Sequence, residues 1–117
     1  MSKKRDTKLY LEDILEEIKR IQRFAENTKN FEEFSKNDLV LYAVLKSLEN
    51  IGEAVKNIPE EIKQFHSIEW KKIAGFRDVL IHDYFGIDIE IVWEVIQHKL
   101  PELESAIRSI LKELEER

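Results

Sequence analysis

Residues 37–56 read NDLVLYAVLKSLENIGEAVK, and this stretch decides the architecture. Leu39, Val40, Leu41, Ala43, Val44, Leu45, Leu48, Ile51, Ala54 and Val55 place apolar side chains on most sides of one helix. Such a helix is central to a bundle, or is covered on a second side by a partner chain. Asn37 and Asp38 are both good N-caps, so the helix is expected to start there and run to about Lys56. Its polar exceptions, Lys46, Glu49, Asn50 and Glu53, fall on one stripe at i, i+3, i+4 and i+7. A solvated stripe is the simpler reading of that spacing. A polar wall facing a cleft is the functional one.

The flanking segments are helical as well. Leu11, Ile14, Leu15, Ile18 and Ile21 predict an amphipathic helix over about Lys8 to Asn27, with residues 1–7 frayed. Asn27 to Asn30 read as its stop, and Phe31 to Phe34 as one short turn whose two rings pack inward. Pro59 suits the first turn of a short helix through about Phe65. Ser67 can cap a helix carrying Trp70, Ile73, Phe76, Val79 and Leu80, which Gly75 weakens and Gly86 ends. Asp88 caps the next, with Ile87 and Val92 as a hydrophobic staple. Pro101 is expected to break or kink the chain near Gln97 to Leu100. Leu103, Ile107, Ile110, Leu111 and Leu114 then continue an amphipathic helix to the end. The expected fold is one all-α domain over residues 1–117, an antiparallel bundle of four or five helices.

Composition excludes much else. With 24 acidic residues against 19 basic, the net charge is -5, which argues against a protein that coats nucleic acid through an overall basic surface. A small basic cleft remains compatible with it. There are 0 Cys, hence no disulfide, no thiolate nucleophile and no Cys zinc site. His66, His82 and His98 stand 16 apart, with no HxxxH pair, so no metal or other cofactor is expected. No apolar run approaches the roughly 20 residues that span a bilayer, and a cytoplasmic protein is expected. Trp70, Trp93, Phe24, Phe31 and Phe34 fit core packing, and Lys3 to Arg5 a solvated terminus.

The chemistry concentrates in Gly75 to Gly86, GFRDVLIHDYFG. Asp78 and His82, four apart, face the same way on a helix, as do Arg77 and Tyr84, seven apart. Arg77 and His82 diverge by about 140° on a straight helix, so they converge only if the helix end distorts or a second subunit supplies half of the site. Arg offers a planar fork of donors to a phosphodiester. His is suited to moving a proton near neutral pH, and a carboxylate four residues away can orient it. Arg plus His without a metal cluster suits RNA cleavage by the ribose 2′-hydroxyl. By residue types alone, an ion-paired helix end is the better reading.

The spacing Arg77-x-x-x-x-His82-x-Tyr84 resembles the signature of the HEPN superfamily, in its HepT-like branch. Tyr10 to Leu15, Leu48 to Ala54, Trp70 to Gly75 and Ile89 to Trp93 resemble that branch in the same order, from about Leu9 to about Leu103. The resemblance implies a homodimeric bundle and a metal-independent endoribonuclease, the toxin of a toxin–antitoxin pair. Its partner would be a minimal nucleotidyltransferase that silences it by transferring AMP to Tyr84. Arg77 and His82 would be catalytic, with Asp78 and Tyr84 supporting. Lys46, Asn50 and Glu53 would line the cleft or contact RNA. Lys46 departs from the pattern, since related chains more often carry Arg there, and the bidentate fork is lost. Three functions remain open: a ribonuclease toxin, a non-catalytic binding module for a nucleotidyltransferase, and a structural helical adaptor. The net charge counts slightly against the first, the intact signature against the third.

Overall fold

A computed structural model describes residues 3–64, 68–75 and 88–116 of the 117-residue chain. Every regular element among them is helical. Helix α1 spans Lys3–Ala25, α2 Phe31–Lys36, α3 Asp38–Lys56 and α4 Glu60–Lys63. Residues 70–75 form α5. Helix α6 spans Ile89–Glu94, a π-helical turn spans Val95–Lys99, and α7 spans Leu100–Glu115. The all-α bundle read from the sequence is therefore the fold.

Local chemistry fixes the helix starts. The Asn37 Oδ1 accepts from the Val40 N–H at 3.1 Å and satisfies a donor left open at the start of α3. Asn30 does the same for α2, accepting from Glu33 N–H at 2.9 Å. Asp88 caps α6 through Glu90 N–H at 2.9 Å. Pro59 stands at the N-cap of α4 rather than inside its first turn. Ser67, Phe65, Phe76, Val79, Leu80, Gly86 and Ile87, given roles as caps, stops or core residues above, lie outside the described residues.

Helix α1 begins at Lys3, five residues before the expected start at Lys8. Asp6 in the first turn complements the helix dipole, and Thr7 is already buried. The chain also does not break at Pro101. Proline there leaves the Gln97 carbonyl without its α-helical donor and crowds it with the ring. One widened turn absorbs the conflict: the Leu100 N–H reaches back five residues to the Val95 carbonyl. Burial requires the continuity. Val92, Ile96, Leu100, Leu103, Ile107, Ile110 and Leu114 form one buried seam, and its spacing of four, four and then three is what a wide turn brings onto a single face.

The core lies between α1, α3 and α7. Leu11, Ile14, Ile18 and Ile21 of α1 are fully buried, facing Val44, Ile51 and Val55 of α3 and Ile107 of α7. At one end Phe34 of α2 packs on Trp93 of α6 with ring centroids 5.2 Å apart, and Phe31 meets the same indole at 6.4 Å. Phe31 and Phe34 thus pack inward, as their spacing suggested.

Polar clamps fix the helix register. Gln22 Nε2 of α1 donates to Glu104 Oε1 of α7 at 3.0 Å, while Arg108 donates Nε and Nη2 to Glu104 Oε2 at 3.1 and 3.0 Å. Burial pushes the Glu104 carboxyl up, but the Gln22 and Arg108 hydrogen bonds and the charges of Arg108 and Lys19 outweigh it, so the net shift is downward. A carboxylate held below its unfolded value stabilises the fold above that value, and this contribution fades as pH falls through the folded one. Unfolding midpoints in urea, taken from about pH 6 down to about pH 3, should therefore fall less steeply for Glu104→Gln than for wild type. Parallel curves would remove Glu104 from the acid response.

Candidate functional site

The residues singled out by sequence divide into two groups. Arg77, Asp78, His82 and Tyr84 lie outside the described residues. The described residues on either side are residue 75 of α5 and Ile89, where α6 opens behind its Asp88 cap. The second group, Lys46, Asn50 and Glu53, is brought together on one exposed stripe of α3.

Each member of that stripe has local work. Lys46 pairs with Glu49 at 3.8 Å, one turn along the helix. Asn50 Nδ2 donates to Glu17 Oε2 of α1 at 3.3 Å. Glu17 is only 7% exposed, and its other oxygen is held by Arg20. A buried carboxylate needs such partners, so Asn50 helps to satisfy it at the α1–α3 seam. The Glu53 backbone carbonyl accepts from Asn57 Nδ2 at 3.0 Å and closes the end of α3. Towards the start of α3 the same face turns apolar, with Leu39 81% and Tyr42 61% exposed.

Two concave regions flank α5. One is an apolar cleft of about 270 Å³ with Leu48, Ile51, Val95 and Leu103 in its walls and Glu69, Lys72 and Lys99 at its mouth. The second is an open groove of about 590 Å³ bounded by the end of α3, by α4 and by α5. Trp70 joins its walls: the indole is 7% exposed, and its Nε1–H donates to the Lys63 carbonyl at 3.1 Å. Trp70 is thus a packing residue, as read from the sequence. Glu69 holds Lys72 at 2.6 Å and Lys99 at 3.5 Å. Its hydrogen bond and charge contact with Lys72 lower the Glu69 carboxyl and raise the Lys72 ammonium, so Lys72 stays charged well above neutral pH. The groove lysines escaped the sequence reading.

Among the described residues no three His, Cys, Asp or Glu side chains gather as a metal site. None of the described helices is long and apolar enough to cross a membrane.

A helical bundle whose sequence carries Arg77, His82 and Tyr84 suggests a class, and comparison with known proteins specifies it. The family model for ribonuclease HepT-like proteins matches residues 14–110. The protein named "Putative RNase MJ1216" of Methanocaldococcus jannaschii is 45% identical over 113 residues, 96% of this chain and 93% of the relative. "Putative RNase TTE0752" of Caldanaerobacter subterraneus subsp. tengcongensis is 46% identical over 108 residues, covering 88% and 92%. "Probable ribonuclease HepT" of Thermococcus cleftensis is 41% identical over 110 residues, covering 93% and 99%. No solved structure matches. The chain belongs to the HepT-like ribonuclease family. The class of enzyme is that of a ribonuclease, and RNA is the substrate class that follows.

Proposed function

We propose that this chain is a metal-independent endoribonuclease, the toxin of a toxin–antitoxin pair, working in the cytoplasm as a homodimer. The observation that carries the reading is the intact Arg77-x-x-x-x-His82-x-Tyr84 signature in a member of a ribonuclease family. In the reaction the ribose 2′-hydroxyl attacks the adjacent phosphorus. The 5′-oxygen leaves, giving a 2′,3′-cyclic phosphate and a 5′-hydroxyl. His82 moves the proton, Arg77 neutralises charge growing on the phosphate oxygens, and Asp78 supports the imidazole. Tyr84 contributes to the site and accepts AMP from a minimal nucleotidyltransferase: its hydroxyl attacks the nucleotide α-phosphorus and pyrophosphate leaves. The added bulk and negative charge then repel RNA.

The test is RNA cleavage by purified protein in the presence of a chelator, after an intact mass shows Tyr84 free of AMP. Cleavage is the expected result. Failure of unmodified protein to cut several RNAs would favour the non-catalytic binding module instead.

The dimer has its own support and its own test. Leu39 and Tyr42 expose large apolar surface on the outer face of α3, next to the polar stripe. Sedimentation at micromolar concentration should give twice the chain's mass of 14.0 kDa. A monomer there would remove the shared site.

A further inference from the structure

With a net charge of -5 the protein as a whole does not attract RNA, so purchase on the backbone must come from a local concentration of positive charge. The groove at the end of α3 is such a place. Among the described residues, Lys56, Lys63, Lys71 and Lys72 line it against two glutamates, Glu60 and Glu69. Glu60 pairs with Lys63 at 3.7 Å and Glu69 with Lys72, and four lysines against two glutamates leave the described lining with an excess of two positive charges. Lys71 and Lys72 are exposed on α5 and Lys56 is exposed at the end of α3. The Trp70 Nε1–H to Lys63 carbonyl hydrogen bond ties α5 to α4 beside these charges.

The groove is also near the chemistry by chain length alone. Lys72 precedes Arg77 by five residues, and five residues span at most about 18 Å when fully extended. One strand can touch both.

We infer that this groove is the track for the RNA backbone, in which Lys56, Lys71 and Lys72 hold the phosphates of a single strand leading to the signature segment. This rests on the ribonuclease reading above. Lysine ammonium groups are point charges that grip phosphate without reading bases, and the one indole beside them is packed away from stacking. The track therefore supplies affinity and salt dependence, not sequence choice.

The experiment uses a fluorescein-labelled, mixed-sequence 2′-O-methyl oligoribonucleotide, which binds but cannot be cut by 2′-hydroxyl attack. Anisotropy titrations at several salt concentrations compare wild type with Lys71→Gln/Lys72→Gln. Lys29→Gln/Lys112→Gln, two exposed lysines elsewhere, makes the same change of net charge. The groove variant should bind about tenfold or more weakly near 0.1 M salt. Its log–log salt slope should be shallower by about 1.4, at about 0.7 per phosphate contact on a single strand. The control should change less than about twofold. Equal losses in both variants, or an unchanged slope in the groove variant, overturn the track. If wild type cuts RNA while the groove variant binds as tightly as wild type, the ribonuclease reading stands and the track falls. If binding depends on the groove lysines but unmodified protein cuts no RNA, the track stands and the ribonuclease reading falls.

Discussion

Alanine in place of His82 is expected to slow RNA cleavage by about 10²- to 10⁴-fold, the range that a positioned proton-transfer group contributes. Imidazole is the one side chain of the signature that exchanges a proton easily near neutral pH, whereas Arg77 stays charged throughout. The measurement is an initial rate on a defined RNA with chelator present, beside a far-ultraviolet dichroism spectrum of the same sample. A rate near wild type would dismiss His82 from the chemistry. Lost helicity would assign His82 to structure instead. Arg77→Lys is the companion variant: it keeps a positive charge but loses the bidentate fork, so it should retain more rate than Arg77→Ala.

The largest expected effect on stability falls at Phe34. Its ring is fully buried, packs on Trp93, and joins the short helix α2 to α6. Helix α2 has only six residues, so its own hydrogen bonds cannot hold it, and packing must. Phe34→Ala should cost about 3–5 kcal/mol, from lost transfer energy and the cavity left behind. That is a large share of the roughly 5–15 kcal/mol that holds a domain of this size together. Urea unfolding followed by tryptophan fluorescence measures it. A loss under about 1 kcal/mol would mean that α2 is an appendage rather than part of the core.

Much of the fold was legible because helix periodicity and capping are local. The spacing of Leu11, Ile14, Ile18 and Ile21 gives their burial in α1. Asn37 and Asp88 could be read as caps because the bond each makes lies two or three residues away. Lys46, Asn50 and Glu53 share one exposed stripe of α3 for the same reason. Pro101 was half legible: its lost donor is local, but the answer to it is not. Whether the chain breaks or widens one turn depends on what continuity buries, and here a seam from Val92 to Leu114 favours the π turn.

The sequence by itself determined the helical class, the starts of α3 and α6, the core stripes and the resemblance to a ribonuclease family. The tertiary structure alone decided where charge gathers. Glu17 reads as one more acid on α1, yet packing buries it and gives it Arg20 and Asn50. Lys56, Lys63, Lys71 and Lys72 stand on three different helices, within a chain of acidic balance. Periodicity relates residues within one helix. Only the packing of α4 and α5 against the end of α3 makes neighbours of these lysines and joins their fields.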